Sequence, residues 1–325
     1  MAGVLGPGRS APVTPHTLGA IDFGGTKTAL AVVAPDGTIL RRARLDTPAR
    51  PSPPEMVGRL AGAWAELIAG LPSEEMPPAV GVAAPGPVAD GLLRQAFDWG
   101  WHDVPLAALL QAAIGAPVRM DNDVNACCLA ELRYGVAVGV ADFAWIQLST
   151  GVGGGLVLGG EVYRGAAGLA GEVGHMVLDE SGPPCACGRR GCLEALVSGP
   201  AIARRYAASG GRGGLSAAGV FAAADAGEPA AEALCQTVAR DLGRGLALVV
   251  NLLNPALVVL GGGVVTSLQR YLPAVRDALA ARVIGEANRE VAVRASGVGY
   301  DAALLGAALL SADPAPSRRG TKHWN

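Results

Sequence analysis

The chain has 325 residues, half of them hydrophobic, 17% charged and only 4% aromatic, with a formal net charge of -2. That length buries a large core and divides most readily into two domains, and the composition is that of an α/β protein rich in Ala, Gly, Val and Leu. The near-neutral balance gives no electrostatic footprint for nucleic acid or for an anionic membrane as partner.

Residues 1–17 lack the apolar run of a signal peptide and read as a disordered lead, which makes the cytoplasm the default location. Leu18 to Phe23 is a short apolar run containing Asp22, followed by Gly24-Gly25-Thr26-Lys27, a second run over 29–33, a Pro35-Asp36-Gly37 turn and a third run over 39–45. This predicts a β-meander. Residues 48–54 read as loop, and Met56, Leu60, Trp64, Leu67 and Ile68 recur at helical spacing over 55–69.

A buried strand over 79–83 must turn at Pro85-Gly86-Pro87, and a helix over 104–114 opens at Pro105. The strand over 117–120 delivers Asp121-Asn122-Asp123 to its C-terminal end, ahead of a helix over 124–134. In open α/β sheets, ligands gather outside the carboxyl ends of strands, so this end is a candidate site.

A strand over 143–148 leads into STGVGGG at 149–155, and helices are expected at 200–208, 216–224 and 229–253. A buried strand over 256–260 feeds Gly261-Gly262-Gly263, followed by a helix over 267–282, a strand over 290–294 and a helix over 302–310. Residues 313–325 form a polar tail, and no period of repeat-protein length is present. Gly245 to Val265 is uncharged over a length that could span a bilayer. Asn251, Asn254 and Pro255 interrupt it, so a helix, a turn and a buried strand are expected instead.

Three strand-to-glycine turns therefore recur, at Asp22 to Lys27, at Ser149 to Gly155 with Thr150, Gly151 and Gly153, and at Leu260 to Gly263 with Gly261 and Gly262. Glycine lets backbone N–H groups approach phosphate oxygens, although a single such turn is as well explained by a tight bend. Neither a Walker A loop nor a dinucleotide fingerprint fits the spacing. Lys27 stands out because the only other lysine is Lys322; a compact ammonium at a phosphate turn suits phosphoryl chemistry, and a solvated turn lysine is the alternative. Asp22 would sit near the metal-bound phosphates, or be simply a strand-end turn residue.

Asp123 is the candidate base. Phosphoryl transfer to an alcohol needs positioning, charge neutralisation and a carboxylate to take the hydroxyl proton, and Asn122 beside it can orient the hydroxyl. An Asx-type helix cap is the competing role for this pair. Cys185, Cys187 and Cys192 form C-x-C-x4-C, and His175 is the nearest imidazole. Three thiolates and one imidazole make a closed, structural zinc set; three reduced thiols or one disulfide is the alternative. Glu172 and Glu194 flank this segment as a site for several hydroxyls would require, or are solvated charges. His175 can hold metal through one ring nitrogen and a substrate hydroxyl through the other.

Taken together, DFGGTK (22–27), APGPV (84–88), DNDVNA (121–126), STGVGGGLVLGGEVYRGAAGLAGEVGHM (149–176), CACGRRGCLEALVSG (185–199), NPALVVLGGGV (254–264) and DAALLGAALL (301–310) resemble the ROK family of sugar kinases and sugar-responsive repressors, most closely its bacterial glucokinase branch. The resemblance runs from about Leu18 to Leu310. It implies an actin-like, ribonuclease H-like α/β fold of two domains with a cleft between them: a small domain of 18–121 plus 301–312 and a large domain of 122–300 carrying the zinc loop. It implies Asp123 as catalytic base and Asn122, Glu172, His175 and Glu194 as sugar contacts. It also implies zinc on His175, Cys185, Cys187 and Cys192, and nucleotide near Gly25, Thr26, Lys27, Thr150, Gly151 and Gly262.

The implied reaction is ATP-dependent phosphorylation of the 6-hydroxyl of glucose, with Mg2+ accompanying ATP, and a homodimer is implied. Kinases for N-acetylmannosamine, N-acetylglucosamine, fructose or mannose are the alternatives within the family. For a repressor, the residues ahead of Asp22 are too few to form a winged helix-turn-helix. One departure bears on the sugar: the asparagine that family members carry before the Trp-x-x-x-Pro-Leu segment is missing from QAFDWGWHDVPL (95–106), where Phe97 or Asp98 stands in its neighbourhood.

Overall fold

A computed structural model describes residues 16–96 and 99–312. Residues 1–15 of the lead, the tail and the Phe97 and Asp98 positions lie outside the described residues. The chain forms two compact units, one built from residues up to Ala130 and from Asp301 onward, the other from Glu131–Tyr300.

In the first unit, Leu18–Phe23 (β1), Lys27–Val33 (β2) and Ile39–Asp46 (β3) form the expected antiparallel meander. The outermost strand, β3, alternates half-buried with exposed residues, and its outward Arg42 and Arg44 guard the sheet edge against further pairing. Pro53–Ile68 (α1) begins with a capping box in which Ser52 and Glu55 each accept the other's backbone N–H. The helix starts before Glu55 because two prolines suit a first turn that has no carbonyl to reach.

Val80–Ala84 (β4) is buried throughout and runs parallel to β1 on one side and to Val118–Asn122 (β8) on the other. Between them, Val88–Ala89 (β5), Leu92–Ala96 (β6) and Trp101–Val104 (β7) make a three-stranded antiparallel sheet. No element was expected there: the strands are short, and Asp90 and Gly91 turn between them at positive φ. Leu106–Ile114 (α2) follows with Pro105 as its N-cap, because Val104 is committed to β7.

Asp123–Tyr134 (α3) follows β8 without a break. The units part inside this helix, later than the expected 121/122 boundary. The reason is packing: the C-terminal helix, residues 302–312, lies so close that a Cβ on Gly306 would meet the Ala126 carbonyl oxygen at 1.8 Å and one on Gly81 would meet that of Ala307 at 1.8 Å. The first turns of α3 therefore share a core with β4 and the chain's last helix.

The second unit repeats the arrangement. Phe143–Leu148 (β9), Val152–Leu158 (β10) and Glu161–Val162 (β11) are antiparallel, and β9 runs parallel to Leu257–Gly261 (β12), itself parallel to Ala292–Ala295 (β13). Strand orders β3-β2-β1-β4-β8 and β11-β10-β9-β12-β13 are the same motif twice, the expected actin-like, ribonuclease H-like α/β fold.

Its helices are Leu193–Val197 (α4), Gly199–Ala208 (α5), Ala217–Asp225 (α6), Pro229–Leu253 (α7), Gly263–Leu268 (α8), Leu272–Ala280 (α9) and Glu286–Arg289 (α10), and Ala302–Ala312 of the first unit is α11. The helix expected over 267–282 is broken: α8 ends at Leu268, and a 3₁₀ turn precedes α9, whose first turn holds Pro273. The uncharged 245–265 stretch resolves as expected, since α7 ends on Asn254 in the left-handed region (φ 47°) before β12. Among the described residues no helix is long and apolar enough to cross a membrane.

Candidate active site

In the first unit, β1 ends at Asp22-Phe23 and the exposed Gly25, Thr26 and Lys27 carry the chain into β2. Thr47 fixes this turn, its hydroxyl donating to the Gly24 carbonyl at 2.8 Å and its N–H to that of Thr26 at 2.9 Å. The backbone thus holds its shape without Gly25 or Lys27 being tied down.

Burial, and then the charges of Asp123 and Asp301, push the Asp22 carboxyl up from 3.8 to about 7. Between those two pH values the folded protein retains a proton that the unfolded chain has released. The contribution to stability is therefore full at acid pH and lost as pH rises through the window. Asp22→Asn is expected to be more stable than the parent at pH 8, by on the order of 1–3 kcal/mol, and indistinguishable from it near pH 4 in urea unfolding. A constant difference at both pH values would contradict this assignment.

At the end of β8, Asn122 is held from three sides. Its amide donates to the Gly86 carbonyl at 3.1 Å, and its Oδ1 accepts from the N–H groups of Val124 at 2.9 Å and Asn125 at 3.3 Å. The capping role weighed for Asp123 therefore falls to Asn122. Asp123 becomes the first residue of α3, half-buried, with its Oδ1 2.9 Å from the Val124 N–H. The Pro85-Gly86-Pro87 turn, expected only as a bend, supplies the carbonyl that orients Asn122.

In the second unit, the glycine turn read at 149–155 is shorter than expected. Only Ser149, Thr150 and Gly151 connect the strands; Gly153 and its neighbours lie within β10. Their purpose is close packing: a Cβ on Gly171 (φ +92) would stand 2.1 Å from the Gly154 carbonyl oxygen, and one on Gly174 2.0 Å from that of Val152. Bare backbone on both sides lets residues 171–175 lie directly over the strand. That contact carries Glu172, exposed, and His175, half-buried, at the two ends of a 3₁₀ turn.

Glu194, in the first turn of α4, reaches the same strand. Its Oε2 accepts from Val152 N–H at 3.0 Å, and a Cβ on Gly151 would lie 2.8 Å from that oxygen. Glu172, His175 and Glu194 are thus gathered at the start of β10. Gly261 ends β12, where a Cβ would meet the Trp145 ring at 2.1 Å, and Gly262 turns at φ +91 into α8. Gly261 is therefore a packing glycine first.

The ligand atoms of His175, Cys185, Cys187 and Cys192 all lie within 4.8 Å of one another. Cys187 and Cys192 sulfurs are 3.6 Å apart, and the Cys185 sulfur is 3.7 Å from His175 Nδ1. Zinc–sulfur bonds of about 2.3 Å give tetrahedral edges of about 3.8 Å, so the four donors fit a tetrahedral metal site. All six cysteines are free, which disfavours the disulfide alternative. Burial pushes Cys192 up to about 12, while the Arg189 backbone N–H draws Cys187 down to about 7. Three thiolates this close would need a cation to carry their charge together. His175 uses Nδ1 towards the sulfurs, leaving Nε2 for another partner.

The ROK family model matches residues 18–313. An N-acetylmannosamine kinase of Citrobacter koseri is 39% identical over 90% of this chain and 97% of its own, and a glucokinase of Thermotoga maritima is 32% identical over 89% and 95%. A ROK family glucokinase of Streptomyces griseus, solved with glucose and AMPPNP, is 32% identical with a TM-score of 0.77, covering 90% of this chain and 98% of that one. A doubled ribonuclease H-like motif, an Asn-Asp pair at a strand end and a His-Cys cluster beside two glutamates accord with these likenesses, and the chain belongs to the ROK family as one of its sugar kinases.

Proposed function

We propose that this sugar kinase transfers the terminal phosphoryl group of Mg-ATP to the 6-hydroxyl of glucose. Asp123 accepts the hydroxyl proton as the sugar oxygen attacks phosphorus and ADP departs. Asn122 orients the hydroxyl, and Glu172, His175 and Glu194 hold the remaining sugar hydroxyls. Backbone N–H groups near Gly25, Thr26, Thr150, Gly151 and Gly262, with Lys27, receive the phosphates. Asp22 would stand near the nucleotide's Mg2+, where a cation would offset the cost of ionising its buried carboxyl.

The observation that carries this reading is Asn122, locked by three hydrogen bonds beside Asp123 at the C-terminal edge of parallel strands. The four-donor cluster would hold zinc as a closed structural site with no open position for substrate. Reduced thiols of this kind suit the cytoplasm, where we place the reaction. A homodimer is the accompanying expectation, tested by light scattering.

N-acetylmannosamine is the second reading for the acceptor, favoured by the 39% identity to a kinase of that name. ADP release measured with glucose, N-acetylmannosamine, N-acetylglucosamine, mannose and fructose, each with ATP or polyphosphate as donor, decides between them. Glucose with ATP is expected to give the highest kcat/KM; a higher value for N-acetylmannosamine would replace the first reading with the second.

A further inference from the structure

The segment that carries the proposed sugar contacts is braced from behind by an ion cluster on two helices, built around a buried carboxylate. Asp241, on α7, is only 6% exposed. Its Oδ2 lies 3.0 Å from Nη1 of Arg205 on α5, and its Oδ1 lies 3.3 Å from Nη1 of Arg244, one turn further along α7. Neither guanidinium stops at the carboxylate. Arg205 Nη1 donates to the Leu196 carbonyl at 2.6 Å, and Arg244 Nη2 donates to the Leu178 carbonyl at 2.9 Å.

Those two carbonyls belong to the two limbs that bear the sugar contacts. Leu196 is on α4, two residues after Glu194. Leu178 lies three residues after His175, on a strand-like run that pairs with 191–193: Leu178 N–H donates to the Gly191 carbonyl at 2.8 Å and Leu193 N–H to the Met176 carbonyl at 2.9 Å. Next to Arg244, Gly245 faces Leu193 so closely that a Cβ would come within 2.8 Å of its side chain. Asp241, Arg244 and Gly245 thus present one face of α7 to both limbs.

We infer that Asp241 is a positioning residue for the acceptor site: it holds Arg205 and Arg244 as a bracket that sets the spacing between the Glu172–His175 turn and Glu194. The inference rests on the proposed assignment of those three residues to the sugar. A buried carboxylate between two arginines is weak as a stabilising device in itself, because desolvation offsets much of its Coulombic gain. Its value here is geometric: Arg244 spends one N–H on the carboxylate and another on the Leu178 carbonyl, while Arg205 is held beside Asp241 by charge and donates its N–H to the Leu196 carbonyl. By analogy, the partners that orient metal-binding side chains change affinity or activity by about 10- to 100-fold when removed.

The test uses the full-length, metal-loaded enzyme. Asp241→Asn is expected to raise the sugar KM by about 10- to 100-fold, while ATP KM, kcat at saturating sugar and metal content stay within about twofold. A purely structural role would lower the melting temperature and the active fraction together without that selective change in sugar KM. A sugar KM equal to the parent's in folded, metal-loaded Asp241→Asn overturns the inference.

Should that variant not fold, Arg244→Lys keeps the charge but cannot reach both Asp241 and the Leu178 carbonyl with a planar fork. It is expected to raise the sugar KM in the same direction by a smaller factor, and no change overturns the bracket. Glu194→Gln distinguishes this inference from the reading beneath it. A raised sugar KM there with an unchanged one in the bracket variants overturns the bracket alone; unchanged values in all three overturn the acceptor assignment itself.

Discussion

Asp123→Ala is expected to lower kcat by about 10²- to 10⁴-fold, the usual contribution of a positioned general base. The carboxyl sits at the first position of α3, and the sugar's proton needs an acceptor there. Because Asn122 and not Asp123 caps the helix, the substitution should leave helix, fold and metal content in place. The base acts chiefly in the transition state, so kcat and kcat/KM should fall together while sugar affinity, read by isothermal titration, changes little. Near-normal turnover would remove Asp123 from the reaction.

The second large effect is expected at the metal cluster. Cys192 is fully buried and lies two residues before Glu194, so the loss of its sulfur would open the four-donor set at the base of the helix that carries Glu194. Cys192→Ser should purify without stoichiometric zinc, melt several degrees below the parent, and show a sugar KM raised by about 10- to 100-fold with a smaller change for ATP. Cys235→Ser supplies the control. That thiol is as deeply buried, within the main core of the unit and away from the cluster, so its replacement is expected to cost stability while zinc is retained. Full zinc occupancy in Cys192→Ser would contradict the four-donor assignment.

Much of this was legible in the sequence, for reasons that differ between residues. The C-x-C-x4-C spacing with His175 upstream marks a candidate metal cluster because metal geometry demands few residue types at short separation, and the four ligand atoms do converge. The long periodic helix α7 and the apolar strands β1, β4, β9 and β12 are equally plain, since hydrophobic patterning over several residues fixes type and face.

Two kinds of feature were not legible. The first is the sheet of β5, β6 and β7, whose strands are too short to show a period and whose turn at Asp90 depends on a backbone dihedral that side-chain types only weakly encode. The second is the reason for a glycine. Gly153 to Gly155 and Gly261 read as phosphate turns, yet Gly154 is bare so that residues 171–175 can lie against it and Gly261 so that Trp145 can. Phosphate approach and backbone packing ask for the same missing Cβ, and only the partner on the other side tells them apart. The doubling of one strand order in both units leaves no period in the sequence, so the expectation of an actin-like fold came from the family resemblance and not from a repeat.

Proton transfer from a hexose 6-hydroxyl to Asp123 would leave the phosphoryl group on the oxygen of carbon 6. The most direct measurement follows [6-¹³C]glucose with Mg-ATP by NMR, parent and Asp123→Asn side by side. Phosphorus coupling growing at carbon 6 with the parent, and none on the same timescale with a variant that still binds sugar, is the predicted result. Phosphorylation at another carbon, or equal rates from both proteins, would contradict it.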